Sequence, residues 1–494
     1  MNFLIMVPVL LSLVGGALLM FVVPKGAGHR KVRQIYVSGV VISTAFFVLL
    51  VSGLGSMELR FFEFTEVINF YLRVDGVSRF FMLLAAGIWT LVTFYTFEYI
   101  EADDRANRYY SFFLMTLGVI LGAALAGNFF TLYLFYEFMT LLTYPLVVHY
   151  GTPAAMRAGS KYLIYSFVGA ALTLVGFVFL ASFGTTTDFV AGGALDTAAV
   201  NGNETMLLVV FVLAFVGFGT KAYIWPMFDW VPASYPKAPA PAAALLSGIV
   251  SKVAVLAIIR LIFFAFGYEF ILDTWAQTAL LVVTLLTVFM GSMLAYKEKL
   301  FLRRLAYSSV SQLSYVLFGL IILSSVAFLG AMLHVLFHAI IKAALFLSAG
   351  AVIHKTSKEY VYELRGIGKS MPITMWCFTI VSLALVGIPP TGGFISKWYL
   401  AMGSIGMGSL FGLIGVGVLL ISALLTAGYL ITIFASAFFP GAKFDYGTVV
   451  KTEPAKLMVV PLIVLAGLSL ILGMFPSAII DFIGSITNVI FPNS

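Results

Sequence analysis

Long apolar segments alternate with short polar loops along almost the whole chain. Fourteen segments are apolar for about 20 residues, the length that a helix needs to cross roughly 30 Å of hydrocarbon. They cover residues 3–23, 34–55, 78–99, 109–127, 129–149, 160–183, 205–226, 241–267, 275–296, 303–323, 326–353, 373–400, 406–437 and 456–476. Most connections are short, so the pattern predicts one all-α integral membrane domain over 1–494.

Two of these segments are interrupted in their interiors. Segment seven reads GFGTKAYIWP and segment twelve reads LVGIPPTGGFISKWYL, so each combines Gly or Pro with a lysine, Lys221 or Lys397. Discontinuous helices at corresponding positions are typical of transporter repeats. The lysines lie 176 residues apart, and the same offset takes Glu137 of segment five to the neighbour of Gln312 in segment ten. We therefore expect two inverted five-helix repeats, segments four to eight at 109–267 and segments nine to thirteen at 275–437.

Composition and charge agree with a membrane location. The chain is 62% hydrophobic and 10% charged, whereas soluble domains carry about 25% charged residues. Twenty of the 28 lysines and arginines fall in loops on one side of the predicted membrane, three on the other, and five inside segments. The positive-inside rule then places both termini and the tail 477–494 at the outer surface. This sorting accounts for the net charge of +7 without a nucleic-acid partner.

The sequence offers little for a cofactor. A single cysteine, Cys377, excludes an iron–sulfur cluster held by this chain alone, because such clusters typically use four protein ligands. The five histidines are dispersed, and there is no glycine-rich nucleotide motif. We expect no metal, no redox cofactor and no catalysis by the chain alone.

Six charged residues inside apolar segments are the main functional clue. Each costs roughly 2.5 to 3.5 kcal/mol at a helix centre, so it is tolerated only beside a partner or a water-filled path. Glu137 is the only carboxylate among them, and we expect it to pair with Lys221. The alternative for Glu137 is a structural ion pair or a protonated acid that makes a helix–helix hydrogen bond. The six residues are Glu137, Lys221, Lys252, Arg260, Lys342 and Lys397.

The two basic residues of segment eight differ in expected role. Lys252 is suited to receive or relay a proton, because burial readily changes the protonation of lysine while arginine stays charged. Arg260 lies eight residues further on. We expect it either to reach a lipid headgroup or to fix packing.

Segments ten to twelve carry the other candidates. His334, His338 and Lys342 recur every four residues, which places them on one stripe of a helix. Three titratable groups in a row suit a proton path, and a metal site is the rival hypothesis. Segment ten contributes Gln312 among several serines, which serve either helix packing or water-mediated conduction. Lys397 would end the path.

Taken together, these motifs resemble the antiporter-like subunits of Mrp-type sodium/proton antiporters, respiratory complex I and membrane-bound hydrogenases. The resemblance covers nearly the full length and is carried by FYEFMTLLTYPLV, APAPAAALLSG, LAYSSVSQLSY, HAIIKAALFLSAGAV and GIPPTGGFISKWYL. A lysine at 397 is most similar to the D subunit of the Mrp antiporters. The resemblance implies that Glu137, Lys221, Lys252, His338 and Lys397 form a charged axis of ion transfer.

The resemblance also implies partners, a location and a function. We expect other membrane subunits as partners, protons and sodium as the transported ions, and a multi-pass position in a prokaryotic cell membrane. Cation/proton antiport is the leading hypothesis, and proton pumping in a hydrogenase or NADH dehydrogenase complex is the alternative. A purely structural scaffold is a third. Family histidines after segment seven are replaced here by Phe228 and Tyr235, so proton access from the inner side is expected to differ.

Overall fold

The computed structural model describes residues 2–24, 26–65, 68–100, 103–442, 444–446 and 450–492. Lys25 and Lys443, two of the basic residues assigned to the inner side, lie outside these ranges, as do the last two residues of the predicted tail. The described chain is almost entirely helical.

The first half contains twelve α-helices and one hairpin within the described residues. They are α1 (Val7–Val22), α2 (Arg30–Gly53), β1 (Glu58–Glu63), β2 (Asn69–Arg73), α3 (Gly76–Tyr99), α4 (Ala106–Leu125), α5 (Phe129–Val147), α6 (Pro153–Phe183), α7 (Thr197–Val200), α8 (Glu204–Gly219), α9 (Trp230–Ser234), α10 (Ala240–Leu245), α11 (Ser251–Ile259) and α12 (Tyr268–Ile271).

The second half contains eight more α-helices within the described residues. They are α13 (Trp275–Lys297), α14 (Phe301–Ile321), α15 (Ser325–Thr356), α16 (Pro372–Val386), α17 (Gly392–Gly406), α18 (Leu410–Phe438), α19 (Lys456–Met474) and α20 (Ser477–Ile490). Eleven helices of the described chain are long and apolar enough to cross a membrane, if Ala240–Phe266 is taken as one helix. These eleven helices correspond to eleven of the fourteen apolar segments. The other three segments correspond to α8, to α14 and to the pair α16 and α17.

The connection between α2 and α3 is an antiparallel hairpin, which the sequence pattern did not identify. Glu58 pairs with Arg73, and the register shifts between Phe61 and Glu63. Tyr71 is buried, and its backbone N–H donates to Thr131 Oγ1 at 3.0 Å near the start of α5. The hairpin therefore packs on the helix ends. We call this face of the molecule the hairpin side.

Two helices form the centre of the bundle. Every residue in the most apolar 18-residue window of Ala240–Phe266 is buried, and α15 is buried along most of its length. The two helices approach closely at Gly350, which has no side chain. A Cβ there would lie only 2.3 Å from Ala240 Cβ. The central helix is not regular, since Leu246–Val250 and Arg260–Phe266 are π-helical. Single π turns inside α-helices are frequent at functional sites.

Both interrupted segments are broken in the structure, as the sequence predicts. Helix α8 ends at Gly219, so Lys221 lies in the irregular chain that follows, where Tyr223 has φ 66°. Helix α16 ends at Val386, and Gly387 follows with φ 92°, a left-handed conformation that favours glycine. Helix α17 then begins at Gly392 and carries Lys397. The boundaries of the two five-helix repeats remain a prediction.

Arg260 does not reach a headgroup, so that alternative is wrong. Its side chain is 1% exposed, and its Nη1 lies 2.7 Å from Asp75 Oδ2. Asp75 caps α3 and also contacts Arg73. Burial of Asp75 opposes its ionisation, but Arg260 and Arg73 outweigh burial and hold the pKa of the carboxyl well below its usual range. Arg260 therefore fixes packing, the other alternative.

Candidate functional site

A lysine and a histidine make the central contact of the candidate site. Lys252 lies in the first turn of α11, directly after the π turn, and its Nζ is 2.6 Å from His338 Nδ1 on α15. Lys252 Nζ also donates to Ser247 O at 2.5 Å and to Ser251 Oγ at 3.3 Å. Lys252 is 1% exposed and His338 0%. Both groups are therefore held away from solvent with a short path for a proton between them.

A second histidine extends this contact along α15. The rings of His338 and His334 are stacked with centroids 6.0 Å apart, as their spacing on one stripe predicts. His334 Nδ1 lies 2.9 Å from Ser396 Oγ on α17. Tyr315 of α14 also stacks in this region, with its ring centroid 5.5 Å from that of His334.

Lys252, His338 and His334 thus form a row, and Lys397 lies beside it at the broken helix. Its Nζ donates to the carbonyl oxygens of Leu385 at 2.6 Å and Val386 at 2.9 Å, the last residues of α16. These carbonyls have no partner further along their own helix, because α16 ends there. Lys397 Nζ is 5.3 Å from the centre of the Tyr315 ring. The helix break thus creates the acceptors that hold the lysine.

Lys342, the third member of the stripe, turns toward α14. Its Nζ donates to Leu305 O at 3.0 Å and to the hydroxyl of Ser308. It is fully buried. It lies one helical turn after His338 on α15, where like charges repel. A proton on one of these two groups therefore makes a proton on the other less favourable.

The expected ion pair between Glu137 and Lys221 is not formed. Lys221 Nζ lies 3.7 Å from the centre of the Tyr136 ring and donates to Tyr136 O at 3.2 Å. Glu137 is the next residue on α5, so its side chain points about 100° away around the helix. Its Oε1 is buried and has no hydrogen-bond partner within the described chain. The two charges still interact at longer range.

A buried hydroxyl pair joins the chain after Lys221 to the π turn before Lys252, and the sequence interpretation missed it. Tyr223 and Tyr235 are both fully buried, their hydroxyls are hydrogen-bonded, and Tyr223 OH also donates to Leu246 O at 3.2 Å. Tyr235 is the residue identified as a replacement for a family histidine. The position of Tyr235 in the sequence could have indicated this pair. Tyr235 lies between Lys221 and Lys252 and among the prolines of 226–241, which force the chain to turn back.

The serines of α14 divide between packing and the site. Ser308 binds Lys342, and Ser309 is hydrogen-bonded to Ser247 at 2.8 Å in the π turn. Ser311 instead joins Ser292 and Ser422 in a separate hydroxyl cluster. Gln312 is fully buried, and neither amide atom has a partner within the described chain. Its role beside the row stays a prediction.

The rival metal hypothesis gains no support from the arrangement. Among the residues that the structure describes, no three His, Cys, Asp or Glu side chains come close enough to hold an ion together. The Nε2 atoms of His334 and His338 have no protein partner in that part of the chain. Buried polar atoms are usually paired with protein or with ordered water, so water is their expected partner.

Comparison with known families gives two matches. Residues 126–426 match the family described as "NADH:quinone oxidoreductase/Mrp antiporter, TM". Residues 64–110 match "NADH-Ubiquinone oxidoreductase (complex I), chain 5 N-terminus". The first match covers more than half of the chain and includes every candidate site residue.

Two curated relatives are similar over most of their length. The N subunit of the NADH-quinone oxidoreductase of Desulforudis audaxviator is 31% identical, with 82% of this chain and 83% of the relative covered. The D subunit of the Na(+)/H(+) antiporter of Alkalihalophilus pseudofirmus is 29% identical, with 98% and 96% covered.

Solved structures share the fold. A chain of the Mrp complex from Dietzia aligns with a TM-score of 0.84 at 20% identity, with 100% of this chain and 98% of that chain covered. A chain of respiratory complex I from Thermus thermophilus aligns with a TM-score of 0.80 at 20% identity, with 98% and 99% covered.

Proposed function

The chain belongs to the family of NADH:quinone oxidoreductase and Mrp antiporter membrane subunits, and we propose that it carries protons within a multisubunit complex in exchange for a monovalent cation such as sodium. The observation that supports this function best is the row Lys252, His338 and His334, which runs through the buried centre of the bundle and reaches Lys397 through Ser396 and Tyr315.

The central contact is suited to proton transfer in either direction. When Lys252 is protonated, its N–H donates to the unprotonated Nδ1 of His338. Transfer of that proton gives neutral lysine and a histidine that carries protons on both ring nitrogens. The ring then releases a proton from Nε2 toward His334. Because the proton leaves from the other side of the ring, the histidine relays it.

The charges around the row determine when the relay operates. Glu137 follows Tyr136, whose carbonyl oxygen binds Lys221, so an ionised Glu137 favours a proton on Lys221. A positive charge on Lys342 disfavours one on His338, a helical turn away. We propose that a change at Glu137, the half-buried carboxylate near the surface of α5, alters the charge on Lys221 and then on Lys252. The chain would thus couple an event at one flank to proton movement at its centre.

Flux measurements on the assembled complex test this function. The complex is reconstituted in vesicles with an internal pH dye, a sodium gradient is imposed, and proton movement is followed. We expect Lys221→Ala, Glu137→Ala and Lys252→Met to lower flux roughly a hundredfold or more, the effect of a lost acid–base group. Lys161→Ala is the control, because Lys161 pairs with Asp229 at the surface. Wild-type flux in all three variants would contradict the proposal.

A redox-driven complex is the second candidate. The relative with 31% identity is a subunit of an NADH-quinone oxidoreductase, and a chain of a membrane-bound sulfane sulfur reductase aligns with a TM-score of 0.83 at 22% identity. Purification of the complex through this chain separates the two candidates. Co-purifying iron–sulfur or nickel–iron subunits would indicate redox coupling, whereas sodium-driven flux without them supports antiport.

A further inference from the structure

An apolar groove separates α2 and α19 on the membrane-facing surface of α3. Its volume is about 580 Å³, and α15 forms its floor through Leu336 and Ile340. Nearly all of its wall is aliphatic or aromatic. Its most polar side chain, Thr90, is half-buried and already donates its hydroxyl to Ala86 O at 2.8 Å. The groove therefore offers contacts to hydrocarbon and no unpaired polar group in its wall.

The length of the groove corresponds to one leaflet of a bilayer. On α3 its wall runs from Phe80 to Leu91, which is about 16 Å at the helical rise and half of the roughly 30 Å hydrocarbon thickness. It begins one turn from the start of α3, on the hairpin side. Helix α20 crosses that end through Ile479 and Phe482. The groove therefore lies in the hairpin-side half of α3, with α20 across its end.

A glycine in the middle of α3 keeps the groove free. Gly87 is exposed within the groove, and a Cβ built on it meets no atom within 4 Å. Glycine in a helix interior costs roughly 0.5 to 1 kcal/mol relative to alanine. No close packing against a neighbouring helix requires it here. The space that it leaves is therefore available to a molecule from the bilayer.

Arg79, an arginine without a partner among the described residues, directly precedes Phe80 at the hairpin-side end of the groove. Arg79 is one turn before Leu83 on the same edge of α3, and the structure gives its guanidinium no ion pair or hydrogen bond to any described residue. The nearest acidic residue in sequence, Asp75, is already engaged by Arg260 and Arg73. A guanidinium at headgroup depth matches a phosphate, with which it forms paired charge-assisted hydrogen bonds.

We propose that this groove binds a phospholipid of the hairpin-side leaflet, with one acyl chain between α2 and α19 and the phosphate at Arg79. The charge of Arg79 and the apolar wall beside it fit the two parts of one amphiphile. Neither feature belongs to the proton path.

Native mass spectrometry of the detergent-purified complex tests the site. Palmitoyl-oleoyl phosphatidylglycerol is added, the detergent is exchanged, and retained lipid per copy of this chain is counted. Gly87→Phe fills the groove, and Gly87→Leu does so with a smaller, helix-favouring side chain. Gly39→Phe is the matched control, because Gly39 is an exposed glycine of α2 where an added Cβ has nothing within 4 Å. We expect both Gly87 variants to lose one retained lipid that the control keeps.

The headgroup contact is tested separately. Arg79→Gln should weaken retention of phosphatidylglycerol roughly tenfold, the equivalent of one charge-assisted hydrogen bond, and should leave retention of a diacylglycerol with the same chains unchanged. Equal lipid retention in the Gly87 and Gly39 variants overturns the proposal. So does loss of a neighbouring subunit from the Gly87 variants with lipid retention unchanged, because the groove would then be a subunit interface.

Discussion

At the scale of single residues, Lys252 offers the sharpest distinction between proton transfer and structure. Lys252→Arg keeps the positive charge beside His338, but arginine does not release its proton at any ordinary pH. If the contact serves transfer, Lys252→Arg and Lys252→Met should both lower flux roughly a hundredfold or more. If the charge only supports packing, the arginine variant should keep near-normal flux. Assembly of both variants, followed by size-exclusion chromatography, is the control.

The tyrosine pair makes a second prediction at this scale. Tyr235→Phe keeps the ring but removes the hydroxyl bonded to Tyr223. If the pair connects Lys221 with Lys252, Tyr223→Phe, Tyr235→Phe and the double variant should lower sodium-driven flux to a similar extent, because all three interrupt one link. Tyr362→Phe, at a tyrosine that is 62% exposed, should have no effect. Additive losses would argue against a shared link.

Asp75 gives a prediction about stability and pH. Asp75→Asn leaves Arg260 buried without its counter-ion, which costs about 3 to 5 kcal/mol. The pKa of Asp75 is lowered in the folded protein. Its stabilising effect is therefore present at neutral pH and is lost as the carboxyl is protonated in acid.

Thermal unfolding of the purified protein in detergent checks this. The variant should unfold at a lower temperature than wild type at pH 7, and the gap should begin to shrink below about pH 4, the usual carboxyl range. Asp481→Asn, at an exposed residue of α20, is the control. A gap that widens in acid would contradict the assignment.

Residue chemistry was more predictable from sequence than residue contacts. Lys252, His338 and Lys397 stand out because charge in an apolar segment is costly. Their partners do not stand out, because serines, tyrosines and backbone carbonyls are common everywhere in membrane helices. Glu137 and Lys221 show the limit most clearly. Their opposite charges suggested a pair. Only the structure shows that Lys221 instead contacts the ring and the carbonyl oxygen of Tyr136, one residue before Glu137 on the helix.

At the scale of elements, the break between α16 and α17 depends on a close approach of their backbones. A Cβ at Gly393 would lie 1.8 Å from Ala384 O, so no side chain fits there without a shift of one helix. Gly393→Ala should displace the carbonyls that hold Lys397, lower flux and destabilise the chain by about 1 to 3 kcal/mol or more.

The matched control for this variant lies in the same helix. Gly406→Ala is at the other end of α17, where a Cβ meets nothing within 4 Å. It should behave as wild type in flux and in thermal unfolding. Equal behaviour of the two variants would show that the junction tolerates a side chain and that the break does not depend on this approach.

The broken helices could be predicted from sequence composition, whereas the π turn and the hairpin could not. Prolines and glycines mark both broken helices in the sequence. The π turn before Lys252 contains a single glycine, Gly248, and LLSGIV otherwise reads as ordinary helix. The hairpin was also missed, because its strands are short and lie in a loop that carries charges at Glu58, Arg60 and Glu63.

At the scale of the whole molecule, the hairpin, the start of α3 and the tail helix lie on one face. A Cβ at Gly76 would be 2.9 Å from Ile486 of α20, so the tail packs beside the hairpin. Ile483, Ile486 and Ile490 of the tail are buried, while Asp481 and Ser485 are exposed. The long-range pairing of Asp75 with Arg260 joins this face to the central helix. No local sequence pattern shows that pairing, because 185 residues separate the partners.

The orientation of the molecule is open to a direct test, because the only cysteine, Cys377, is 5% exposed and gives little background labelling. Ser485→Cys places a thiol on the exposed face of α20, and Glu359→Cys places one in the basic loop after α15 without changing the lysines and arginines. The positive-inside rule predicts that a membrane-impermeant maleimide labels Ser485→Cys in intact cells and Glu359→Cys only after permeabilisation. The reverse pattern would place the basic loops outside. It would then also assign the phospholipid groove to the inner leaflet, because the groove lies on the hairpin side.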